Sequence, residues 1–148
     1  MLVFGSSGQV GRTLLDLQEN KKVLFVRRKD CELTDLDQIE SALEQRKPSL
    51  IINAAAYTSV DKAEQESDLA HLINERSVRC MASYAQANNS KLIHFSTDFV
   101  FDGNHDSPYQ PEEHTNPLGE YGKSKLAGER AVLEEAPESA MIIRTSWV

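Results

Sequence analysis

Tyr121 and Lys125 stand four residues apart in a stretch with helical spacing, so their side chains share one helix face. An ammonium held close to a phenol favours the phenolate and lowers its pKa. A tyrosine adjusted in this way can give and take a proton near neutral pH. If hydride reaches a carbonyl carbon nearby, the oxygen can take its proton from Tyr121, and Lys125 can also bind a ribose. Ser96-Thr97-Asp98 closes an apolar run, and Thr97 could hydrogen-bond the same oxygen and fix it for attack. Alone, a Tyr-x-x-x-Lys pair also reads as a surface contact, and Ser-Thr-Asp as a strand-terminal turn.

A second constellation gives the first one context. Gly5, Gly8 and Gly11 have the spacing GxxGxxG between an apolar run and a helical stretch. Gly5 permits a sharp turn, Gly8 lets backbone approach a pyrophosphate, and Gly11 allows close packing of helix on strand. The helix start at Gln9 and Val10 then offers free N–H groups and partial positive charge, and Ser6 and Ser7 can add hydroxyl donors. Arg27 and Arg28 fall where an adenine ribose would lie, about 20 residues beyond the glycines. Basic residues there suit the 2′-phosphate of NADP, whereas an acidic one would suit NAD; the same run also reads as a solvated basic face. Leu33 could flank the adenine and Glu32 could accept from its amino group. Asn53-Ala54-Ala55-Ala56 is small enough for a cofactor to pass closely.

These groups need elements to hold them. Apolar runs at residues 2–4, 23–26, 50–52, 91–95 and 140–143 read as five strands. Helical spacing covers residues 10–17, a stretch capped by Thr34 or Asp35 and ending near Gln45, a long one at 66–88, and 121–135. Residues 102–119, with Pro108, Pro111 and Pro117, read as a long and therefore functional loop. Strands apolar throughout and separated by helices imply a parallel sheet buried on both faces. The expected fold is a doubly wound, Rossmann-like α/β domain in three α/β/α layers, with strand order 3-2-1-4-5.

The chain has 148 residues, 40% hydrophobic and 26% charged, which suits one globular domain. A net charge of −7 argues against nucleic acid or an anionic membrane as partner. No apolar run approaches membrane-spanning length, and the N-terminus lacks a signal-peptide pattern, so the expected compartment is the cytoplasm. Cys31 and Cys80 match no metal or disulfide spacing, and no metal is expected.

Taken together, the glycine turn, Asn53–Ala56, Ser96–Asp98 and the Tyr121–Lys125 pair resemble the extended short-chain dehydrogenase/reductases. Within them, FGSSGQVG at residues 4–11, NAAAYTSVDKAE at 53–64, STDFVFDG at 96–103, PLGEYGKSKLAGE at 117–129 and RTSWV at 144–148 are similar to the dTDP-4-dehydrorhamnose reductases. The resemblance implies reduction of the C4 keto group of dTDP-4-dehydro-L-rhamnose to dTDP-L-rhamnose, with NADPH favoured over NADH. It implies Tyr121 as proton donor, Lys125 as its partner and Thr97 as the third catalytic residue. Gly8, Gln9 and Val10 would meet the pyrophosphate, Arg27, Glu32 and Leu33 the adenosine, and Ala56, Tyr57 and Thr58 the nicotinamide side. Thr97, Asp98 and Trp147 would touch the nucleotide-sugar. It also implies a C-terminal substrate domain absent from residues 1–148, and it is compatible with a homodimer. Two other readings stay open: a non-catalytic subunit similar to the regulatory subunit of methionine adenosyltransferase, and a sibling nucleotide-sugar epimerase or dehydratase. The run Thr97-Asp98-Phe99 lacks the glutamate that dehydratases commonly add.

Overall fold

The computed structural model describes residues 1–17 and 22–146; Trp147 and Val148 lie outside the described residues. The elements follow the alternation of apolar and amphipathic segments. They are β1 (Leu2–Phe4), α1 (Gln9–Leu17), β2 (Leu24–Val26), α2 (Leu36–Arg46), β3 (Leu50–Asn53), α3 (Val60–Ala63), α4 (Ser67–His71), α5 (Ser77–Ala87), β4 (Lys91–Thr97), α6 (Glu120–Glu135) and β5 (Ala140–Thr145). Asp35 is the residue that caps α2, its carboxylate accepting from the Gln38 N–H. The helical stretch expected over 66–88 is present but carries a π-turn at Leu72–Arg76 between α4 and α5. Among the described residues no helix is long and apolar enough to cross a membrane.

All five strands are parallel, as expected of a doubly wound α/β domain. Their order is β2-β1-β3-β4-β5, which corrects the expected 3-2-1-4-5. The expected order needs the third strand outside β2. Instead Leu50–Asn53 pairs with β1, Leu2 opposite Ile51 and Phe4 opposite Asn53. The polar turns of residues 27–35 supply no strand to extend the sheet on that side, so β2 is the edge.

The crossover reverses direction after β2. Right-handed connections therefore place α1 on one face and α2, α5 and α6 on the other. The larger core forms on the second face, where Leu2, Phe4, Ile51 and Leu92 meet Ile39 and Leu43 of α2 and Val78 and Met81 of α5. On the α1 face, Val3 and Ile52 of the central strands are buried, but Met141 of β5 is 59% exposed. The reversal also sets the site. Where neighbouring crossovers leave β1 and β3 on opposite faces, the carboxyl ends of the two strands frame a crevice.

Candidate active site

The glycine turn lies at the carboxyl end of β1. Gly5 has φ +86°, and a Cβ there would come within 2.5 Å of Ala54 C and Ala55 N. A Cβ on Gly11 would collide with the Gly5 carbonyl, so these two glycines let two βα loops and α1 touch. Gly8 differs: a Cβ there would meet only the Gly5 oxygen, at an ordinary 3.6 Å. The protein itself makes no demand for glycine at position 8, which leaves a ligand's approach as the physical reason for it. The N–H groups of the first α1 turn, at Gln9 and Val10, have no partner inside the helix. Ser6, expected as a ligand donor, instead turns its hydroxyl to the Val26 carbonyl at 3.4 Å and ties the turn to β2.

A cleft of about 260 Å³ opens here. Gly5, Ser7 and Gly8 form one wall, Arg27, Arg28, Glu32 and Leu33 another, and Ala54–Ala56 with Thr58 and Ile73 the third. The structure thus gathers most of the residues expected to bind a dinucleotide. Glu32 Oε2 accepts the Arg28 Nε–H at 2.7 Å. Tyr57 is buried and its hydroxyl donates to Glu66 at 2.7 Å, so its backbone rather than its ring shapes the loop.

Thr97 and Tyr121 meet at the carboxyl end of β4. Thr97 is buried, accepts from the Phe99 N–H at 3.2 Å and donates to Asp98 Oδ1 at 3.1 Å. Asp98 also accepts from Ser146 at 2.7 Å. Tyr121 packs edge-on against Phe99, ring centroids 5.5 Å apart. Burial pushes the Tyr121 phenol pKa up, the Thr97 hydroxyl draws it down, and Asp98 raises it further. The net shift is upward, which corrects the expectation of a phenol made more acidic by Lys125. The reason is geometric. Lys125, one turn along α6, runs inward and its Nζ donates to the Phe95 carbonyl at 2.6 Å. Only 2% of Lys125 is exposed, and burial lowers its own pKa to about 8.

Asn74, Ser124 and Glu64, polar residues that sequence reasoning missed, hold the two halves together. Asn74, in the π-turn and 1% exposed, brackets Tyr57: Oδ1 accepts the Tyr57 N–H at 2.9 Å and Nδ2 donates to the Tyr57 carbonyl at 3.1 Å. Nδ2 also donates to Ser124 Oγ at 3.0 Å, and Ser124 donates to the Tyr121 carbonyl at 2.8 Å. The Tyr57 loop and the helix of Tyr121 are therefore joined through one amide. Glu64 caps that helix from outside, accepting the Glu120 N–H at 2.8 Å. Asn53 accepts the Ala55 N–H at 3.1 Å and fixes the loop after β3. An asparagine in an otherwise periodic helix was the available signal for Asn74; nothing in the spacing marked Glu64.

Comparison with known proteins follows this geometry. The family described as RmlD substrate binding domain matches residues 1–148. The dTDP-4-dehydrorhamnose reductase of Aggregatibacter actinomycetemcomitans is 43% identical over 150 residues, covering 99% of this chain and 51% of that protein. The enzyme of the same name from Salmonella typhimurium is 42% identical over 153 residues, 100% of this chain and 51% of that one. A crystal structure of dTDP-4-dehydrorhamnose reductase from Bacillus anthracis, in complex with NADP, superposes with a TM-score of 0.93 at 35% identity, covering 99% of this chain and 52% of that one. The chain spans about half the length of the relatives it matches. With its whole length matched, the chain belongs to the RmlD substrate binding domain family.

Proposed function

We propose that this chain is the cofactor-binding and proton-donating part of an NADPH-dependent dTDP-4-dehydrorhamnose reductase, acting in the cytoplasm. The observation that carries the reading is the placement of Tyr121 beside Thr97, at the same carboxyl end of the sheet as the glycine-walled cleft. The reductases it resembles and the NADP of the Bacillus anthracis structure support it. The cleft fits a dinucleotide on its own terms: room beside Gly8, free helix-start N–H groups, and Arg27 on the wall where a 2′-phosphate would lie.

A reduced nicotinamide bound against Ala54–Ala56 supplies the hydride. Thr97, turning its one hydroxyl proton from Asp98 to the substrate, holds the C4 carbonyl oxygen of the sugar, and Tyr121 passes its phenolic proton to that oxygen as the hydroxyl forms. Lys125, bonded to the Phe95 carbonyl, would have to turn outward to favour the phenolate left on Tyr121. Phe99 packs edge-on against the Tyr121 ring and limits how it can turn. The remaining sugar contacts are assigned to Asp98, to Trp147 outside the described residues, and to a substrate domain in the length that the relatives carry beyond the match.

The test joins this chain to the downstream half of the Salmonella typhimurium relative. Substrate-dependent NADPH oxidation is expected, and Tyr121→Phe should lower its rate about a hundredfold or more. Undiminished turnover in that variant would remove Tyr121 from its role.

A further inference from the structure

The strand that delivers Thr97 also carries His94, which is fully buried at the centre of the sheet. No step in the chemistry above uses it. A buried imidazole among apolar strands is costly unless its polar atoms are satisfied. Here the satisfaction is one-sided. Nδ1 lies 3.2 Å from Asn53 Nδ2, while Nε2 has no hydrogen-bond partner among the described residues. A Cβ added to Gly128 of α6 would come 3.6 Å from Nε2, so the bare edge of the ring abuts the helix that carries Tyr121 and Lys125.

The hydrogen-bond arithmetic fixes the tautomer. Asn53 Oδ1 accepts the Ala55 N–H, so the amide's oxygen faces Ala55 and its NH₂ faces His94. An NH₂ group can only donate, so Nδ1 must be the bare nitrogen and the proton must sit on Nε2. A cationic ring, or the other tautomer, would set N–H against N–H and turn the amide away from Ala55. Ala55 is where the precision matters. Its backbone and that of Ala54 lie within 2.5 Å of the position of a Gly5 Cβ, so the loop after β3 and the glycine turn are pressed together along the cleft.

We propose that His94 is a positioning residue for the cofactor cleft. Its neutral ring, protonated on Nε2, orients the Asn53 amide, and the amide holds the Ala54–Ala56 loop in register with Gly5. The inference rests on the dinucleotide reading of that cleft for its functional consequence. Its structural part stands apart from that reading. The buried, unpartnered Nε2–H is the cost accepted for a ring whose other nitrogen must accept.

Two substitutions separate positioning from space-filling. Asparagine places an acceptor oxygen close to the Nδ1 position but leaves a void, whereas phenylalanine fills the ring volume and accepts nothing. Positioning orders the variants wild type, His94→Asn, His94→Phe. Space-filling orders them wild type, His94→Phe, His94→Asn. The readouts are the Ala55 amide resonance and its exchange protection, and the dissociation constant for NADPH with the 148-residue chain. His94→Phe should weaken NADPH binding about tenfold and expose the Ala55 amide, while His94→Asn restores most of both. The reverse order overturns the proposal. A long-range nitrogen–proton spectrum of the unaltered protein should show the Nε2-protonated tautomer between about pH 5 and pH 8. A cationic or Nδ1-protonated ring would overturn the proposal with no variant needed, so a His94→Phe chain that fails to fold does not shelter it. If the unaltered chain fails to bind NADPH, the dinucleotide reading fails. The tautomer and the Ala55 amide still decide whether His94 positions the loop.

Discussion

Arg144 of β5 grips Glu129 of α6 through both carboxylate oxygens, Nε to Oε1 at 2.9 Å and Nη2 to Oε2 at 2.6 Å. Its third nitrogen donates to the Pro111 carbonyl at 2.7 Å, and its guanidinium lies 5.0 Å from the centre of the Phe101 ring. The long loop before Tyr121 is thus fastened to the sheet by a side chain whose partner is 2% exposed. A carboxylate so buried depends on its cation. Arg144→Met should cost about 3 kcal/mol in chemical denaturation, because it strands Glu129. Adding Glu129→Leu should recover most of that loss; no recovery would mean that the loop tether, not the charge, carries the stability.

The glycines of the turn should respond differently to alanine. Gly8→Ala fits the protein, so its unfolding midpoint should stay within about 0.5 kcal/mol of the original while NADPH binding weakens strongly. Gly11→Ala forces backbone apart and should destabilise by about 2 kcal/mol or more. Calorimetry of both variants with and without NADPH separates the two effects. Equal loss of stability would show that Gly8 serves packing after all.

Burial lowers the Lys125 pKa from 10.5 to about 8. Between those values the unfolded chain holds a proton on this amine that the folded chain has released, so stability rises with pH across the interval. Cys80, raised by burial from 9.0 to about 11, and Cys31, also raised by burial, oppose this above about pH 9, and Tyr121 does so above about pH 10. Denaturant midpoints should therefore climb from about pH 8 to pH 9 and stop climbing above it. Lys125→Met should flatten the climb; an unchanged slope would assign it to another group.

Arg28 gives its Nε–H to Glu32, whose negative charge competes with a phosphate at the cleft wall for the guanidinium. Both side chains are solvated enough for the pair to be weak, so the brake is modest. Glu32→Gln should tighten NADPH binding a few-fold and leave NADH nearly unchanged, as read by fluorescence titration. Parallel changes for both cofactors would place Arg28 away from the 2′-phosphate.

The positions of the strands and helices were legible because a parallel sheet covered by helices writes itself as apolar runs between amphipathic ones. The glycine turn was legible for the same local reason: strand, turn and helix are adjacent in the chain. Strand order was not. It depends on whether the crossover after β2 returns past β1, and Leu50–Asn53 is equally apolar in either position. The charge environment of Tyr121 was also hidden. Spacing put Lys125 on the same helix face, but the bond to the Phe95 carbonyl is a choice of rotamer made by the sheet beneath. Asn74, Glu64 and His94 act across 17 to 56 residues of sequence, as in Asn74 to Tyr57 and Glu64 to Glu120, so local spacing does not report their partners.

The π-turn at Leu72–Arg76 has a consequence for how this site can change. An added residue rotates everything downstream by about 100° on the helix axis. Asn74 sits inside that widened turn, which lets one side chain serve Tyr57 and Ser124 together. Loss of a single codon between residues 72 and 76 would restore an unbroken α-helix and a smooth apolar stripe, while swinging the amide off one of its two partners. At this place the reading frame of the helix, more than the identity of any exposed side chain, decides whether the two halves of the site stay joined.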